Sequence, residues 1–112
     1  MEWSFTTQEA VSETEPQAFS RELEEALRND DTVSEPVCRV LEEHPRLWSQ
    51  WPVAADDLEP QIRGWVEVSF RVSAPTRKRA FELAITALHR ARDTSEETVY
   101  SFIGNFNLHA IS

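Results

Sequence analysis

The apolar residues within positions 64–92 change their spacing once, and this change constrains the fold more than any other feature of the chain. In the first part an apolar residue occupies every second position, which is typical of a strand with one buried and one solvated face. The residues in this alternating series are Val66, Val68, Phe70, Val72 and Ala74. After Pro75 the apolar residues follow the period of a helix, at Ala80, Phe81, Ala84, Ala87, Leu88 and Ala91. The segment therefore predicts a strand followed by a helix that packs back on it.

Two further helices are predicted in the N-terminal half. Thr14-Glu15-Pro16-Gln17 has the form of a capping box with proline in the first turn. The apolar residues after it recur at helical spacing, and they are Phe19, Leu23, Ala26 and Leu27. We expect this helix to end near Asn29. Ser34-Glu35-Pro36 repeats the capped start, so Val37, Val40 and Leu41 predict a shorter helix that Pro45 ends.

The two ends of the chain carry weaker strand patterns. Residues 2–6 alternate apolar and polar side chains and predict a short strand. Residues 99–111 are rich in β-branched and aromatic side chains, with Gly104-Asn105 at their middle. Gly-Asn between two such runs is a hairpin signal, because glycine tolerates the positive φ that the turn requires. The alternative is one long strand with a bulge at Gly104.

These elements predict an α+β fold, as a small two-layer sandwich with an antiparallel or mixed sheet and about three helices. A length of 112 residues suits a single domain. Its residues 1–61 form an acidic, mostly helical half, and residues 62–112 form a strand-helix-strand or hairpin half. The order of elements in this second half resembles part of a ferredoxin-like sandwich, an architecture that hosts too many activities to indicate a function.

The net charge of −9 is unevenly distributed. Fifteen acidic and four basic side chains give residues 1–61 a charge of −11, whereas seven basic and two acidic side chains give residues 62–92 a charge of +5. Nucleic acids and anionic membranes attract basic proteins, so the acidic total argues against direct binding to either. The basic residues of the second segment are Arg63, Arg71, Arg77, Lys78, Arg79, Arg90 and Arg92.

The residue content disfavours several kinds of chemistry. Gly64 and Gly104 are the only glycines, so the chain lacks a glycine-rich phosphate loop or dinucleotide fingerprint. Its three histidines do not stand at ligand spacing to Cys38 or to a carboxylate. We therefore expect no catalytic residues, no metal site and no cofactor. The single cysteine is expected to be a buried, inert thiol. This cysteine content, and a start without an apolar leader, favour a cytoplasmic protein.

Two groups of residues remain as candidate binding sites. Arg77, Lys78 and Arg79 fall in the first turn of a predicted helix, where the helix dipole favours anions. They predict a contact with an anion or an acidic partner, or else with the acidic half of the chain itself. The second group is aromatic: Trp48 and Trp51 suit a partner-binding surface or the end of a core. Trp65, on the solvated face of the strand beside Glu67 and Arg71, suits a contact between two copies of the chain.

The function that these observations favour is a small acidic, non-catalytic protein-protein interaction or regulatory module, whose partner is another protein or a second copy. One alternative is an inhibitor that imitates nucleic acid by presenting carboxylates where a target expects phosphates. The acidic residues for this role are Glu22, Glu24, Glu25, Asp30, Asp31, Glu42 and Glu43. A second alternative is a small-molecule-binding domain or a small enzyme with a pocket between helices and sheet.

Overall fold

The structure is a computed structural model that describes residues 1–11, 15–42, 64–93 and 106–111. The described residues form four strands and two helices. In chain order these are β1 (Glu2–Val11), α1 (Pro16–Arg28), β2 (Ser34–Leu41), β3 (Gly64–Ser73), α2 (Arg77–Asp93) and β4 (Phe106–Ala110). The prediction of an α+β class is confirmed.

The four strands form one antiparallel sheet in the order β2-β3-β1-β4. Strand β1 lies inside it, paired with β3 from Glu2↔Ser73 to Val11↔Gly64 and with β4 from Trp3↔Ala110 to Thr7↔Phe106. Both described helices pack on one face of this sheet, because their buried residues share one core with those of the strands. Neither described helix covers the other side, which we call the open sheet face.

The predicted strand and helix of residues 64–92 are confirmed as β3 and α2. All five alternating positions of the strand are at most 4% exposed. On the helix, the four predicted alanines and Leu88 are buried, and Phe81 is half-buried against the same core. The alanine stripe gives α2 a small contact surface, which lets the helix lie close to the sheet.

The first helix also follows its prediction. α1 ends at Arg28 with Asn29 as its C-cap residue. Its N-cap is Glu15, whose carboxylate accepts hydrogen bonds from the backbone N–H groups of Gln17 and Ala18, both at 3.0 Å. A carboxylate here satisfies two of the unpaired N–H groups of the first turn and interacts favourably with the helix dipole. Thr14, the predicted cap, lies outside the described residues.

The predicted helix near Val37 is wrong, because residues 34–41 form strand β2. Pro36 resembles a helix start in sequence, but here it lies in an irregularity of the register between Ser34 and Val37. The preceding Glu35 has a φ of 51°, the only positive φ among the described non-glycine residues. β2 is an edge strand, where a proline and a bulge are tolerated because they remove no central ladder hydrogen bond. The described residues accordingly contain two helices rather than about three.

Strand β1 is ten residues long, twice the predicted length, and central. Its buried positions continue past Phe5 through Thr7, Glu9 and Val11, which are 5%, 1% and 0% exposed. Two polar residues at core positions hide the alternation that would have predicted the full strand. At the other end of the chain, β4 pairs with β1, while the choice between a hairpin and one long strand falls on residues 94–105, outside the described residues.

Candidate functional site at the first turn of the second helix

Thr76 fixes the start of α2 and so places three basic side chains together. Its hydroxyl oxygen accepts a hydrogen bond from the backbone N–H of Arg79 at 3.2 Å, and its carbonyl oxygen accepts one from Ala80 at 3.0 Å. Thr76 therefore caps the helix. Arg77, Lys78 and Arg79 then occupy the first turn, and all three are exposed.

The three cations make few contacts with the rest of the described chain. Arg77 donates from Nη2 to the carbonyl oxygen of Leu108 at 3.5 Å. Arg79 forms an exposed ion pair with Glu82, one turn along the same helix, at 3.2 Å. No hydrogen bond or ion pair of the Lys78 side chain is found within the described residues. Among the residues that the structure describes, the first turn of α2 thus keeps a surplus of positive charge.

Beside these cations lies an open groove of about 420 Å³, lined by Arg77, Lys78, Phe81 and Phe106. The Phe81 and Phe106 rings are 5.0 Å apart at an interplanar angle of 45°. Phe106 also stacks on the buried Phe5 at 5.9 Å, so the core holds this wall of the groove in place. The groove combines two flexible cations with two half-buried aromatic rings.

Other basic residues of the second half are paired with the acidic half. Arg71 forms an ion pair with Glu35 at 3.1 Å. In the last turn of α2, Arg90 and Arg92 pair with carboxylates of the N-terminal half. Contacts with the acidic half are therefore seen at positions for which none was predicted. The predicted contact is not seen for Arg77, Lys78 or Arg79 within the described residues.

The surface pair at the end of α2 joins Arg90 to Asp30. Arg90 donates from Nε and Nη2 to both carboxylate oxygens, at 2.9 to 3.1 Å, and from Nη2 to the Thr32 hydroxyl at 3.1 Å. Burial acts to raise the pKa of Asp30, but hydrogen bonds from Thr32 and Arg90 outweigh it and the pKa lies below its ordinary value of 3.8. The carboxylate is thus held in its ionised form.

The second pair at this end, between Arg92 and Glu9, is buried. The Arg92 Nη2 group donates to Glu9 Oε1, and the side chains are 9% and 1% exposed. Burial raises the pKa of Glu9 above its ordinary value of 4.5 in spite of the opposing attraction of Arg92. Within the described residues, Glu9 Oε2 accepts no hydrogen bond. The sequence prediction missed this pair, because its partners are 83 positions apart.

Cys38 is half-buried on β2, and its backbone N–H donates to Glu24 Oε1 at 3.0 Å. Burial raises the pKa of its thiol to about 12, with further contributions from the Glu24 and Glu9 carboxylates. A thiol with such a pKa is a poor nucleophile near neutral pH, as expected for an inert cysteine. Among the described residues, no group of three or more His, Cys, Asp or Glu side chains could hold a metal ion.

The three candidate tryptophans have separate outcomes. Trp65 lies on the open sheet face as predicted, but it is 4% exposed rather than solvated. Solvent does reach Arg71, six residues further along the strand on the same face. Trp48 and Trp51 lie outside the described residues.

The seven carboxylates of the nucleic-acid-mimic hypothesis are also divided. Two of them are engaged within the chain, since Glu24 binds Arg28 and the Cys38 backbone, and Asp30 binds Arg90. Exposed members are Glu22, Glu25, Asp31 and Glu42, and Glu43 lies outside the described residues.

Comparison of the chain with models of protein families, with curated proteins and with solved structures found no match. Neither described helix is long and apolar enough to cross a membrane.

Proposed function

We propose that the protein is a non-catalytic protein-protein interaction module, and that it binds an acidic segment of a partner in the groove at the first turn of α2. The observation that carries this proposal is the positive charge left at Arg77 and Lys78 in a chain of net charge −9. Other cations of the same half are paired with carboxylates of the acidic half, whereas these two are not paired with any within the described residues. As far as the described residues are concerned, they are therefore available to an external anion.

The scaffold of this module is proposed to be ferredoxin-like. The described elements follow the order β-α-β-β-α-β, which is the order of that architecture. Strands β1 and β3 occupy the centre of the sheet, and both helices lie on one side. This arrangement supports the resemblance across the whole described chain and adds no information on function, because many unrelated activities share the architecture.

The groove suits a partner segment that combines carboxylates with an apolar or aromatic side chain. Arg77 and Lys78 attract the carboxylates, and the dipole of a helix start favours negative charge as well. Phe81 and Phe106 offer ring surface that an aromatic side chain can cover. Because the cations lie at an exposed rim, we expect them to affect the association rate and its salt dependence strongly.

The titratable groups favour binding over catalysis. The Cys38 thiol has a high pKa, and Glu9, a carboxyl whose pKa is raised by burial, is enclosed by the core beside Arg92. Neither group lines the groove at α2. We also propose a cytoplasmic location, where a reducing environment preserves a single free thiol.

Selection from a random peptide library displayed on phage tests the proposal. The wild-type protein is expected to enrich peptides with two or more carboxylates beside an aromatic residue. Synthetic versions of these peptides should then bind the Lys78→Glu variant at least about tenfold more weakly, a loss of about 1.4 kcal/mol. The matched control is Arg21→Glu, which makes the same charge change at an exposed position of α1 outside the groove. Equal affinities for both variants, or enrichment of peptides without carboxylates, would contradict the proposal.

A small organic anion is a second candidate ligand, since a groove of about 420 Å³ falls in the range of small-molecule sites. Thermal-shift measurements with simple aryl carboxylates distinguish the two. A stabilisation by phenylacetate or a related compound that Lys78→Glu removes, in the absence of any selected peptide, would favour the small molecule.

The nucleic-acid mimic has less support, because Glu24 and Asp30 are occupied by intrachain contacts. It predicts competition with DNA for a DNA-binding protein. That competition should disappear when Glu22, Glu25, Asp31 and Glu42 are changed to the corresponding amides, and indifference to these changes would exclude the mimic.

A further inference from the structure

The open sheet face carries four charged side chains in a self-complementary arrangement. On β3, Glu67 and Arg71 lie two positions on either side of Ser69, all three on this face. On the neighbouring β2, Glu35 and Arg39 lie two positions on either side of Val37. Val37 is the register partner of Ser69, and Arg39 is the partner of Glu67.

The four charges form two intrachain ion pairs that remain accessible. Arg39 and Glu67 are joined at 3.0 Å, with side chains 65% and 22% exposed. Arg71 and Glu35 are joined at 3.1 Å, with side chains 44% and 65% exposed. The two arginines therefore occupy one pair of diagonally opposite corners of a small square and the two glutamates occupy the other pair, with Val37 and Ser69 on its midline.

A two-fold rotation about that midline makes the square complementary to itself. The rotation reverses the strand direction and turns the face toward a second copy. Arg71 then meets the second copy's Glu67, and Glu35 meets the second copy's Arg39. Stacked sheets lie about 10 Å apart, a distance that an arginine and a glutamate can bridge from opposite sides. Each charge gains a second partner of opposite sign, and none meets a like charge directly.

The midline itself suits such a contact. Val37 is 55% exposed, one of the few large apolar side chains that the described residues leave in solvent. Next to it, the Ser69 and Thr6 hydroxyl groups hydrogen-bond to each other at 2.9 Å, which leaves one O–H donor of the pair for a further partner. Two copies of Val37 would bury each other on the axis.

We infer that the protein forms a two-fold homodimer by packing the open sheet faces of two copies against each other. This inference goes beyond the proposed function, because the groove at α2 lies in the helical layer and takes a different partner. The face is polar and its charges lie at the surface, so the dimer is expected to weaken as salt rises. Trp65 contributes little exposed surface to it.

Sedimentation velocity over a range of protein and salt concentrations tests the inference with three variants. Val37→Asp brings two carboxylates together on the axis and should abolish the dimer. Lys78→Glu, in the groove, should leave it unchanged. The third variant reverses all four charges by Glu35→Arg, Arg39→Glu, Glu67→Arg and Arg71→Glu. It preserves both intrachain pairs, so it should fold, and it should dimerise with itself.

Mixing the charge-reversed variant with wild type gives the decisive result, because like charges would then face each other across the axis. We expect two separate homodimers and no mixed species. A wild-type protein that stays monomeric at low salt and high concentration would overturn the inference. So would free mixing of the two forms, or loss of the dimer in Lys78→Glu. Since peptide binding to the groove is measured separately, failure of the dimer leaves the proposed function standing, and the reverse also holds.

Discussion

The two ends of α2 carry similar positive charge in opposite settings. At the last turn, Arg90 and Arg92 each bind a carboxylate of the acidic half. At the first turn, Arg77 and Lys78 bind no carboxylate within the described residues, and they border an aromatic groove. Cations stabilise the end of a helix and slightly destabilise its start. The difference teaches that the fold can pair the cations at one end of a helix with carboxylates and, within the described residues, leave two at the other end without one, so a basic stretch is a candidate binding surface only where such charge remains.

Substitution in the buried Arg92–Glu9 ion pair should give the largest difference in stability between the two ends of α2. Arg92→Leu leaves the Glu9 carboxyl buried without its cation, and we expect the free energy of unfolding to fall by about 3 kcal/mol. Arg77→Leu, at the exposed end, should change it by less than about 0.5 kcal/mol. Urea denaturation measures both. If the double variant Glu9→Leu/Arg92→Leu recovers most of the loss, the cost lies in the unpaired charge rather than in packing. A similar effect at both ends would contradict the comparison.

Substitution in the exposed Asp30–Arg90 pair should lower the free energy of unfolding by a smaller amount. Asp30→Asn removes the charge that Arg90 binds, and we expect a loss of about 1 kcal/mol at neutral pH, since half of the Arg90 side chain is exposed to solvent. Thermal denaturation at low and high salt measures it. The loss should shrink at high salt, and an effect independent of salt would assign it to the hydrogen bonds with Thr32 instead.

Because the pKa values of Glu9 and Asp30 shift in opposite directions, the two carboxyls should respond oppositely to pH. The pKa of Glu9 is raised in the fold, so its contribution to stability is present below 4.5 and is lost as pH rises through the folded pKa. The pKa of Asp30 is lowered, so its contribution is present above 3.8 and is lost as pH falls through the folded pKa. The free energy of unfolding is measured against pH for wild type, Glu9→Gln and Asp30→Asn, and the curve of each variant is subtracted from that of wild type. The two difference curves should slope in opposite directions. Difference curves that slope in the same direction would show that the direction of one of the two pKa shifts is wrong.

The smallest effect on stability is expected at the first turn. Lys78→Glu replaces an unfavourable cation near the helix start with a favourable anion, so the free energy of unfolding should rise by about 0.3 kcal/mol. The same change should weaken peptide binding. A variant that is more stable and yet binds the peptide more weakly would separate function from stability at this position. A clear loss of stability would instead assign Lys78 a structural role.

The sequence predicted the elements whose apolar residues follow one regular period. β3 and α2 have uninterrupted patterns, and α1 has a clear proline and capping signal. β2 could not be predicted in the same way, because Pro36 within a bulge of an edge strand looks like the first turn of a helix. The prediction for β1 was too short because Thr7 and Glu9 are polar residues that the core nevertheless buries.

The candidate site was predicted only in part, for a similar reason. The cations of the first turn are adjacent in sequence and were visible from their spacing. Phe106, which completes the groove, comes from β4 and reaches α2 only through the sheet pairing with β1. The pairing of Arg90 with Asp30 and of Arg92 with Glu9 depends on the same tertiary arrangement. Local patterns cannot reveal which of several cations the fold neutralises.

A nuclear magnetic resonance titration compares the two ends of α2 most directly. An acidic, aromatic peptide from the phage selection is added to uniformly ¹⁵N-labelled protein, and the shifts of the backbone amide resonances are followed. We expect the changes to concentrate at Arg77, Lys78, Phe81 and Phe106, with the Arg90 and Arg92 amides nearly unchanged. Changes centred on the last turn of α2, or spread evenly over the surface, would contradict the claim that the binding site is formed by Arg77 and Lys78, which pair with no carboxylate within the described residues.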